Sequence, residues 1–376
     1  MSKIPPVDLT RQYKSISESL DTAVLEILRS GRYIGGETVT NFENKFAHYT
    51  GVSHCIACNS GTDALYLALK ALNISPGDEV ITSPFTFIAT AEAITLAGAK
   101  PIFVDIDLQT FNLDINAVEK AITPATKAIL PVHLFGQPVN MSALMAIADA
   151  HDLYVVEDCA QATGATWQGS KVGSIGHIGC FSFFPTKNLG ACGDGGAVTT
   201  NDPGLAATIK MLREHGSKTR YLHEEIGVNS RLDALQAAIL SVKLPYLDRW
   251  NGERQAAAAL YGRLLQALSW VVLPQALEGG EHVWNQYTIL VDDRTPTDSQ
   301  STRDRVREEL QKMDVLSMVY YPIPLHLQPV YQSLAYLKGQ LPQAEKASRQ
   351  VLSLPMFPGI TGEEQEQVAY SLKDCP

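Results

Sequence analysis

The amino-acid sequence predicts an α/β fold, with a mostly parallel central sheet covered by helices and a smaller α+β domain at the C-terminal end. Short β-branched runs alternate with longer runs whose apolar residues repeat at helical spacing, a pattern typical of parallel sheets. The 376 residues exceed the ~100 to 200 residues of a typical domain. Because the pattern also changes near residue 245, we expect a large domain at 1–245 and a small domain at 246–376.

The first part of the chain supplies the central sheet. A strand at 54–58 and a helix at 62–72 flank the turn at 59–61. The pattern predicts further strands at 79–82, 101–105, 127–132 and 154–157, and further helices at 90–97 and 141–151. Ligands of open α/β sheets bind outside the carboxyl ends of the strands, so we expect the functional site at that edge.

The predicted small domain mixes the two kinds of element. Helices are expected at 254–268 and 302–312, and strands at 285–291 and 317–321. The stretch 292–301 is predicted to be a polar loop.

Composition and charge exclude several classes of function. The net charge is −10, with scattered basic residues, which argues against nucleic acid as a partner. No apolar run approaches the ~18 residues of a membrane span, and the first residues lack the apolar stretch of a secretory signal. Six cysteines in so long a chain fit a reducing compartment. We therefore expect a cytoplasmic protein without membrane contact.

One cysteine pair has the spacing of a metal or redox motif. Cys55 and Cys58 are separated by two residues, but no second pair completes a zinc site. In a strand their side chains point to opposite faces. We interpret them as buried structural thiols and expect no metal.

The run Asn-Ser-Gly-Thr at 59–62 ends a strand and opens a helix. Free backbone N–H groups and the helix dipole at such a junction attract a phosphate, and the hydroxyl of Ser60 or Thr62 adds a contact. An ordinary N-cap made by either hydroxyl is the alternative. The segment has neither of the glycine patterns that bind nucleotide phosphates in P-loop and Rossmann proteins.

Two further residues carry possible chemistry. Asp158 follows a buried strand, where a carboxylate is costly unless a cation pairs with it, although it could simply cap the next turn. Lys187 lies in an aromatic and glycine-rich stretch, where burial would make its amine a nucleophile; a solvated lysine is the alternative. Together with the phosphate cradle, these residues match the needs of pyridoxal 5'-phosphate: an anchor, a partner for its ring nitrogen and a Schiff-base former.

Ordered motifs along nearly the whole chain support this interpretation. They are GTDAL at 61–65, GDEVI at 77–81, EDCAQ at 157–161, SFFPTK at 182–187, NSRLD at 229–233 and YPIPLH at 321–326. In these motifs the chain resembles the pyridoxal-phosphate-dependent sugar-nucleotide aminotransferases of the DegT family, within the aspartate-aminotransferase-like group of fold type I. It is most similar to members that aminate C3 of a keto nucleotide sugar.

The resemblance implies roles for the cofactor site. Lys187 would form the Schiff base and move a proton between the amino acid and the cofactor, and Asp158 would pair with the pyridinium nitrogen. Gln161 would lie near the phenolic oxygen, and Phe87 would stack on the ring. The phosphate contacts implied are Gly61, Thr62, Ser182 and, from the other subunit of a dimer, Asn229. The alternatives are a core position for Phe87 and a turn for Asn229.

The resemblance also implies substrate contacts. Arg231, on a helix that residues 229–230 would open, is a candidate for an anionic group, with a surface ion pair as its alternative. The other candidates, which could equally be packed or exposed loop residues, are Arg220, Tyr221, His223, Tyr321 and His326. His133 is expected to shape the pocket.

The implied activity is transfer of an amino group, by family habit from L-glutamate, to a keto group of a nucleotide-diphosphate sugar, in a homodimer with shared active sites. Such amino sugars enter polysaccharides or secondary metabolites. A related branch replaces the Schiff-base lysine by histidine and dehydrates sugars; Lys187 argues against that branch. The alternatives are a dehydratase on the same fold and a non-catalytic regulator that keeps the fold.

Overall fold

The computed structural model describes residues 3–292, 301–373 and 375. Most of the predicted loop at 292–301 therefore lies outside the described residues. The helices are α1 Leu9–Ser30, α2 Glu37–Thr50, α3 Gly61–Ala71, α4 Ala89–Leu96, α5 Ile115–Val118, α6 Met141–Ala150, α7 Pro203–Leu212, α8 Ala234–Lys243, α9 Leu247–Leu265, α10 Thr302–Lys312, α11 Pro342–Gln350 and α12 Gly362–Lys373.

The strands alternate with these helices through the first half of the chain. They are β1 His54–Cys58, β2 Glu79–Thr82, β3 Lys100–Phe103, β4 Thr126–Leu130, β5 Tyr154–Asp158, β6 Thr166–Trp167, β7 Ser170–Lys171, β8 Ile178–Ser182, β9 Gly196–Thr200, β10 Ser217–Thr219, β11 Leu222–His223, β12 Val271–Val272, β13 Gly280–Glu281, β14 Tyr287–Val291 and β15 Val351–Leu354.

Seven strands form the central sheet, in the order β1-β9-β8-β5-β4-β2-β3. The neighbours from β8 to β3 are all parallel, whereas β9 runs antiparallel to both β1 and β8. The predicted mostly parallel sheet is confirmed. The carboxyl ends of all strands except β9 therefore face one edge, and β9 begins at that edge.

Helices cover both faces of the sheet, because each strand carries apolar residues on its two sides. On one face α3, α4 and α7 pack in a buried cluster that includes Leu67, Ile94 and Ile209. On the other face α2 and α8 contribute residues such as Phe42 and Leu240, and α6 covers the neighbouring strands. Helix α1 packs on α8.

The cysteine pair of β1 divides between these faces, as predicted. Cys55 belongs to the cluster under α2 and Cys58 to the cluster under α3. Both thiols are free and buried. They contribute to packing on the two sides of the sheet.

The C-terminal part forms a second core. The antiparallel sheet β12-β14-β15 packs with α9, α10 and α12 around residues such as Tyr261 and Ile289. Ile4, near the N-terminus, is fully buried in the same core and pairs with Val315. The predicted division after residue 245 falls in the 3-10 turn Leu244–Tyr246, between α8 and α9; we keep it as a proposal.

Two local expectations are wrong. The predicted strand at 317–321 reduces to a single bridge between Met318 and Ser353, because only one residue of the segment reaches the edge strand β15 before the chain turns away. Arg231 precedes helix α8 instead of lying on it, since the helix begins at Ala234 after Asp233.

Among the described residues, no helix has the length and apolarity needed to cross a membrane.

Candidate active site

A cavity of about 530 Å³ opens at the carboxyl edge of the central sheet. Its walls come from the segments at the ends of β1, β2, β4, β5 and β8, from the segment that leads into β9, and from residues 286, 320 and 321 of the C-terminal part. The lining residues are Ser60, Gly61, Thr62, Leu65, Thr86, Phe87, Ala89, Thr90, Val132, Asp158, Ala160, Gln161, Ser182, Phe184, Thr186, Lys187, Asp194, Gly195, Gln286, Tyr320 and Tyr321. The predicted edge therefore holds a cavity large enough for a cofactor and part of a substrate.

The first turn of α3 forms an anion cradle at one end of the cavity. The Ser60 hydroxyl accepts a hydrogen bond from the Asp63 N–H at 3.1 Å. The N–H groups of Gly61 and Thr62 have no acceptor within the helix, because the first turn has no preceding carbonyls. Ser182 lies so close that a Cβ on Gly61 would stand 2.6 Å from its Cβ. Ser60 therefore caps the helix, as one alternative predicted, and the phosphate site stays a prediction that the remaining free amides allow.

Asp158 is the last residue of β5 and is 4% exposed. Its Oδ1 accepts a hydrogen bond from the Ala160 N–H at 3.1 Å, and its Oδ2 accepts one from the Thr90 hydroxyl at 2.8 Å. Burial raises the pKa of this carboxyl group, while these two bonds and the charge of Lys187 act in the opposite direction. The carboxylate lines the cavity and can accept a further hydrogen bond from a cationic donor.

Lys187 lies in the loop between β8 and β9 and reaches the same cavity. Burial lowers the pKa of its amine to about 8, against the opposing effect of the Asp158 charge. A larger fraction of this lysine is therefore unprotonated near neutral pH than of an ordinary lysine. The half-buried position of Lys187 on the cavity and the lowered pKa of its amine favour the nucleophilic interpretation over the solvated one.

Gln161 is held between two partners. Its Oε1 accepts a hydrogen bond from the Phe135 N–H at 2.7 Å, and its Nε2 donates to the Tyr321 hydroxyl at 3.0 Å. The second proton on that nitrogen is available to an acceptor in the cavity. Phe87 is 57% exposed and its ring centroid lies 6.3 Å from that of Tyr321, so the two rings form an aromatic wall.

These observations together fit pyridoxal phosphate. The first turn of α3 leaves backbone amides for a phosphate beside Ser182, and the carboxylate of Asp158 can face a protonated ring nitrogen. Lys187 offers an amine whose pKa is lowered by burial. Phe87 presents an exposed ring face for stacking.

Several predicted residues lie outside this cavity. Asn229 is exposed and pairs through its backbone with Glu214. The hairpin of β10 and β11 carries three more, Arg220, Tyr221 and His223, all of them exposed. The structure of one chain thus brings none of these four side chains to the cavity.

Of the remaining predicted substrate residues, one lines the cavity and two do not. Tyr321 lines the cavity, and burial raises the pKa of its hydroxyl, which therefore stays protonated. His326 does not line the cavity: it is 2% exposed and its Nε2 lies 3.3 Å from a carboxylate oxygen of Glu345. Arg231 is also outside the cavity lining, and its buried Nε has no partner among the described residues.

His133 belongs to a hydrogen-bonded network behind the cavity. Its Nδ1 accepts from the Val139 N–H at 3.0 Å, so Nε2 carries the proton that it donates to Glu157 at 3.0 Å. The Glu157 carboxylate also accepts from the backbone N–H groups of Gly173, Ile175 and Gly176. His133, Glu157 and Cys159 have the proximity of a metal site, but these bonds already occupy the histidine and carboxylate atoms that a metal would need. The network fixes the backbone beside Asp158.

Sequence reasoning missed several residues of the cavity wall. Thr86 and Thr90 follow β2 at the predicted edge, so their position was a usable signal. Gln286 precedes β14 of the small domain, and its buried side-chain oxygen has no hydrogen-bond partner among the described residues. Nothing in the sequence places Gln286 at this edge, because its approach depends on how the second core packs.

Comparisons with known proteins identify the family of the chain. A model of the DegT/DnrJ/EryC1/StrS aminotransferase family matches residues 14–373. A "pleiotropic regulatory protein" of Geobacillus stearothermophilus is 50% identical, over 99% of this chain and 98% of the relative. A UDP-N-acetyl-3-dehydro-alpha-D-glucosamine 3-aminotransferase of Acidithiobacillus ferrooxidans is 46% identical, over 97% of this chain and 96% of the relative.

Solved structures of aminotransferases are similar to this chain over nearly its whole length. Streptomyces venezuelae DesV, in complex with a ketimine intermediate, superposes with a TM-score of 0.95 at 43% identity, covering 100% of this chain and 98% of that chain. Bacillus subtilis NtdA, with the bound cofactor PMP, has a TM-score of 0.91 at 36% identity, covering 99% of this chain and 85% of that chain.

Proposed function

Because the chain belongs to the DegT/DnrJ/EryC1/StrS aminotransferase family, whose cofactor is pyridoxal phosphate, we propose that it transfers an amino group from L-glutamate to the C3 keto group of a nucleotide-diphosphate sugar. The observation that carries this proposal is the placement of Lys187 and Asp158 on one cavity with the anion cradle of α3. The 3-aminotransferase activity named for the A. ferrooxidans relative supports C3 as the position of transfer.

The residues of the cavity would hold the cofactor at three points. Gly61, Thr62 and Ser182 would bind its phosphate, and Asp158 would accept a hydrogen bond from its ring nitrogen. Gln161 has a free N–H for the phenolic oxygen. When bound, pyridoxal phosphate supplies a carbonyl that takes up the amino group and a ring that withdraws electrons from the reacting carbon.

Lys187 would carry the proton transfers. Its amine is partly unprotonated near neutral pH, since its pKa is about 8, so Nζ can take a proton from the substrate carbon. The same Nζ can then return that proton. Asp158 remains close enough to stabilise the protonated amine while it exists.

The sugar would occupy the part of the cavity farther from the cradle. Tyr321 offers a hydroxyl that stays protonated, and Gln286 offers a buried oxygen that needs a donor. A sugar hydroxyl can both donate and accept, whereas the carboxylates of glutamate only accept and its one donor, the amino group, is the group that is transferred. We therefore assign Gln286 to the sugar.

A second copy of the chain would complete the site. The hairpin region exposes large apolar side chains, with Tyr221 at 82% and Ile226 at 93% exposure, which is unusual for a free surface. Asn229 adjoins this surface but not its own cavity. We propose a cytoplasmic homodimer in which Asn229 of one subunit reaches the phosphate cradle of the other, together with the substrate contacts of Arg220, His223 and Arg231.

The name of the Geobacillus relative favours a second candidate, a regulator that keeps the fold. A sensor can retain its biological effect without a Schiff-base amine, and an aminotransferase cannot. Lys187→Ala separates the two: preserved regulation by this variant would support the regulator. A dehydratase on the same fold is the third alternative, and product analysis distinguishes it by loss of a hydroxyl without gain of nitrogen.

The direct test uses the purified protein with pyridoxal phosphate. We expect a yellow chromophore that bleaches on addition of L-glutamate and is restored by a keto nucleotide sugar, with labelled nitrogen from glutamate appearing at C3 of the product. A panel of uridine and thymidine diphosphate keto sugars identifies the acceptor. A protein that takes up no pyridoxal phosphate would falsify the proposal.

A further inference from the structure

Two threonine hydroxyls form a buried chain that ends on Asp158. Thr90, in the first turn of α4, is 1% exposed, and Thr86 is 3% exposed. The Thr86 and Thr90 hydroxyl oxygens lie 3.1 Å apart, and the Thr90 hydroxyl donates to Oδ2 of Asp158 at 2.8 Å.

The direction of donation along these two hydrogen bonds follows from the carboxylate at their end. An ionised carboxylate only accepts, so Thr90 must give its single proton to Asp158. The Thr90 oxygen then accepts the proton of Thr86. Both hydroxyl dipoles therefore point toward the carboxylate, and each bond strengthens the other.

The hydrogen bond from Thr90 also fixes the orientation of the Asp158 carboxylate. The Ala160 N–H occupies Oδ1 and Thr90 occupies Oδ2, so the carboxylate cannot rotate without losing a bond. The other ionisable groups that act on Asp158 or feel its charge are Lys187, His133, Tyr321, Cys159 and Cys180. His133 is bonded to Glu157, and the Tyr321 hydroxyl accepts from Gln161. Thr90 is therefore the side chain that supplies a direct hydrogen bond to this carboxylate among the described residues.

We propose that Thr90, supported by Thr86, is a positioning residue that keeps the proton shared by Asp158 and the cofactor on the ring nitrogen. This inference rests on the proposed function. A carboxylate that accepts a strong hydrogen bond is a weaker base, so the proton stays on the nitrogen. Without the bond, the proton moves from the nitrogen to a carboxylate oxygen, and the net charge of the pair is unchanged. The burial that raises the pKa of Asp158 makes this support necessary.

The test is NMR of pyridoxal phosphate labelled at its ring nitrogen and bound to the full-length protein. Wild-type protein is expected to give the shift of a protonated ring. Thr90→Val removes the hydroxyl at nearly constant volume, and we expect the ratio of protonated to neutral ring to fall by about 10-fold or more, the worth of one hydrogen bond to a charged group. Thr90→Ser should restore the wild-type shift, and Thr86→Val should give a smaller change in the same direction.

The matched control is Thr95→Val on the same helix, because the Thr95 hydroxyl donates to the Ala91 carbonyl and not to the site. It should leave the nitrogen shift unchanged. A wild-type shift in Thr90→Val overturns the inference even if activity falls. If Thr90→Val does not fold, Thr86→Val decides in the same way. Failure of the wild-type protein to bind the cofactor would instead overturn the proposed function.

Discussion

The predicted site has two parts, which we call the strand-end half, at the carboxyl ends of the sheet strands, and the hairpin half, at residues 217–229. One chain brings the residues of the first half together in a cavity but leaves those of the second half outside it. Asp158 and Ser182 end the neighbouring strands β5 and β8, Lys187 follows β8, and all three line one cavity. Tyr221, in the exposed hairpin of β10 and β11, and Asn229, in the segment that follows the hairpin, stay outside the cavity. Residues at the edge of a sheet are brought together by the sheet itself, whereas residues on a hairpin depend on the surface that the hairpin meets.

The largest expected effect is loss of the strand-end amine. Lys187→Ala should lower amino transfer by about 10⁴-fold or more, since both the covalent attachment and the proton carrier are removed. Single-turnover assays with glutamate measure this. Lys210→Ala, an exposed lysine of α7, is the matched control and should transfer normally. Retention of more than a small residual rate in Lys187→Ala would show that another group carries the proton.

Loss of the carboxylate should come next. Asp158→Asn keeps the shape but removes the charge opposite the ring nitrogen, so we expect a fall of about 10³-fold in kcat, comparable to the loss of a preorganised electrostatic contact. Cofactor binding should weaken less than catalysis. Comparing kcat with the cofactor Kd tests this. Equal losses in both would mean that Asp158 serves binding alone.

The hairpin half is tested by mixing subunits. Asn229→Ala should weaken cofactor binding by about 10-fold, the worth of one hydrogen bond to a phosphate. If Asn229 acts across a dimer, a mixed dimer of Asn229→Ala and Lys187→Ala chains regains one intact site. At limiting cofactor, an activity per intact lysine that exceeds that of Asn229→Ala alone checks this. If the mixture and Asn229→Ala alone have the same activity per intact Lys187, a shared site is contradicted.

The smallest expected effect is a shift in pH dependence. Capture of pyridoxal phosphate by the cofactor-free protein requires the unprotonated amine of Lys187, so its rate should rise with pH and reach half its maximum near the pKa of about 8. Asp158 raises this pKa. Asp158→Asn should therefore move the midpoint to lower pH. A midpoint that moves up, or one near the ordinary value for lysine, would contradict the assigned environment.

The sequence predicted the sheet and its edge well, for a physical reason. Buried parallel strands are marked by short apolar runs, and their ends must meet at one edge, which places Asp158 near the α3 cradle. Interactions between segments that are distant in the sequence leave no pattern in the local sequence. The bond from Thr90 to Asp158 and the approach of Gln286 depend on packing across the chain. The wrong strand at 317–321 has the same origin, because strand pairing needs a partner edge that local pattern does not reveal.

The reversed direction of β9 bears on how the reactive lysine is held. Since β8 ends and β9 begins at the same edge, the connecting segment leaves and returns without crossing the sheet. The Phe183 N–H donates to the Gly195 carbonyl at 2.7 Å, and the Ala191 N–H donates to the Phe183 carbonyl at 2.8 Å, which tie the two stems together. Next to Lys187, the buried Asn188 side chain donates to Asn251 and accepts from Asn285. The amine therefore lies on a loop whose stems bond to each other and whose middle is anchored to the C-terminal part of the protein.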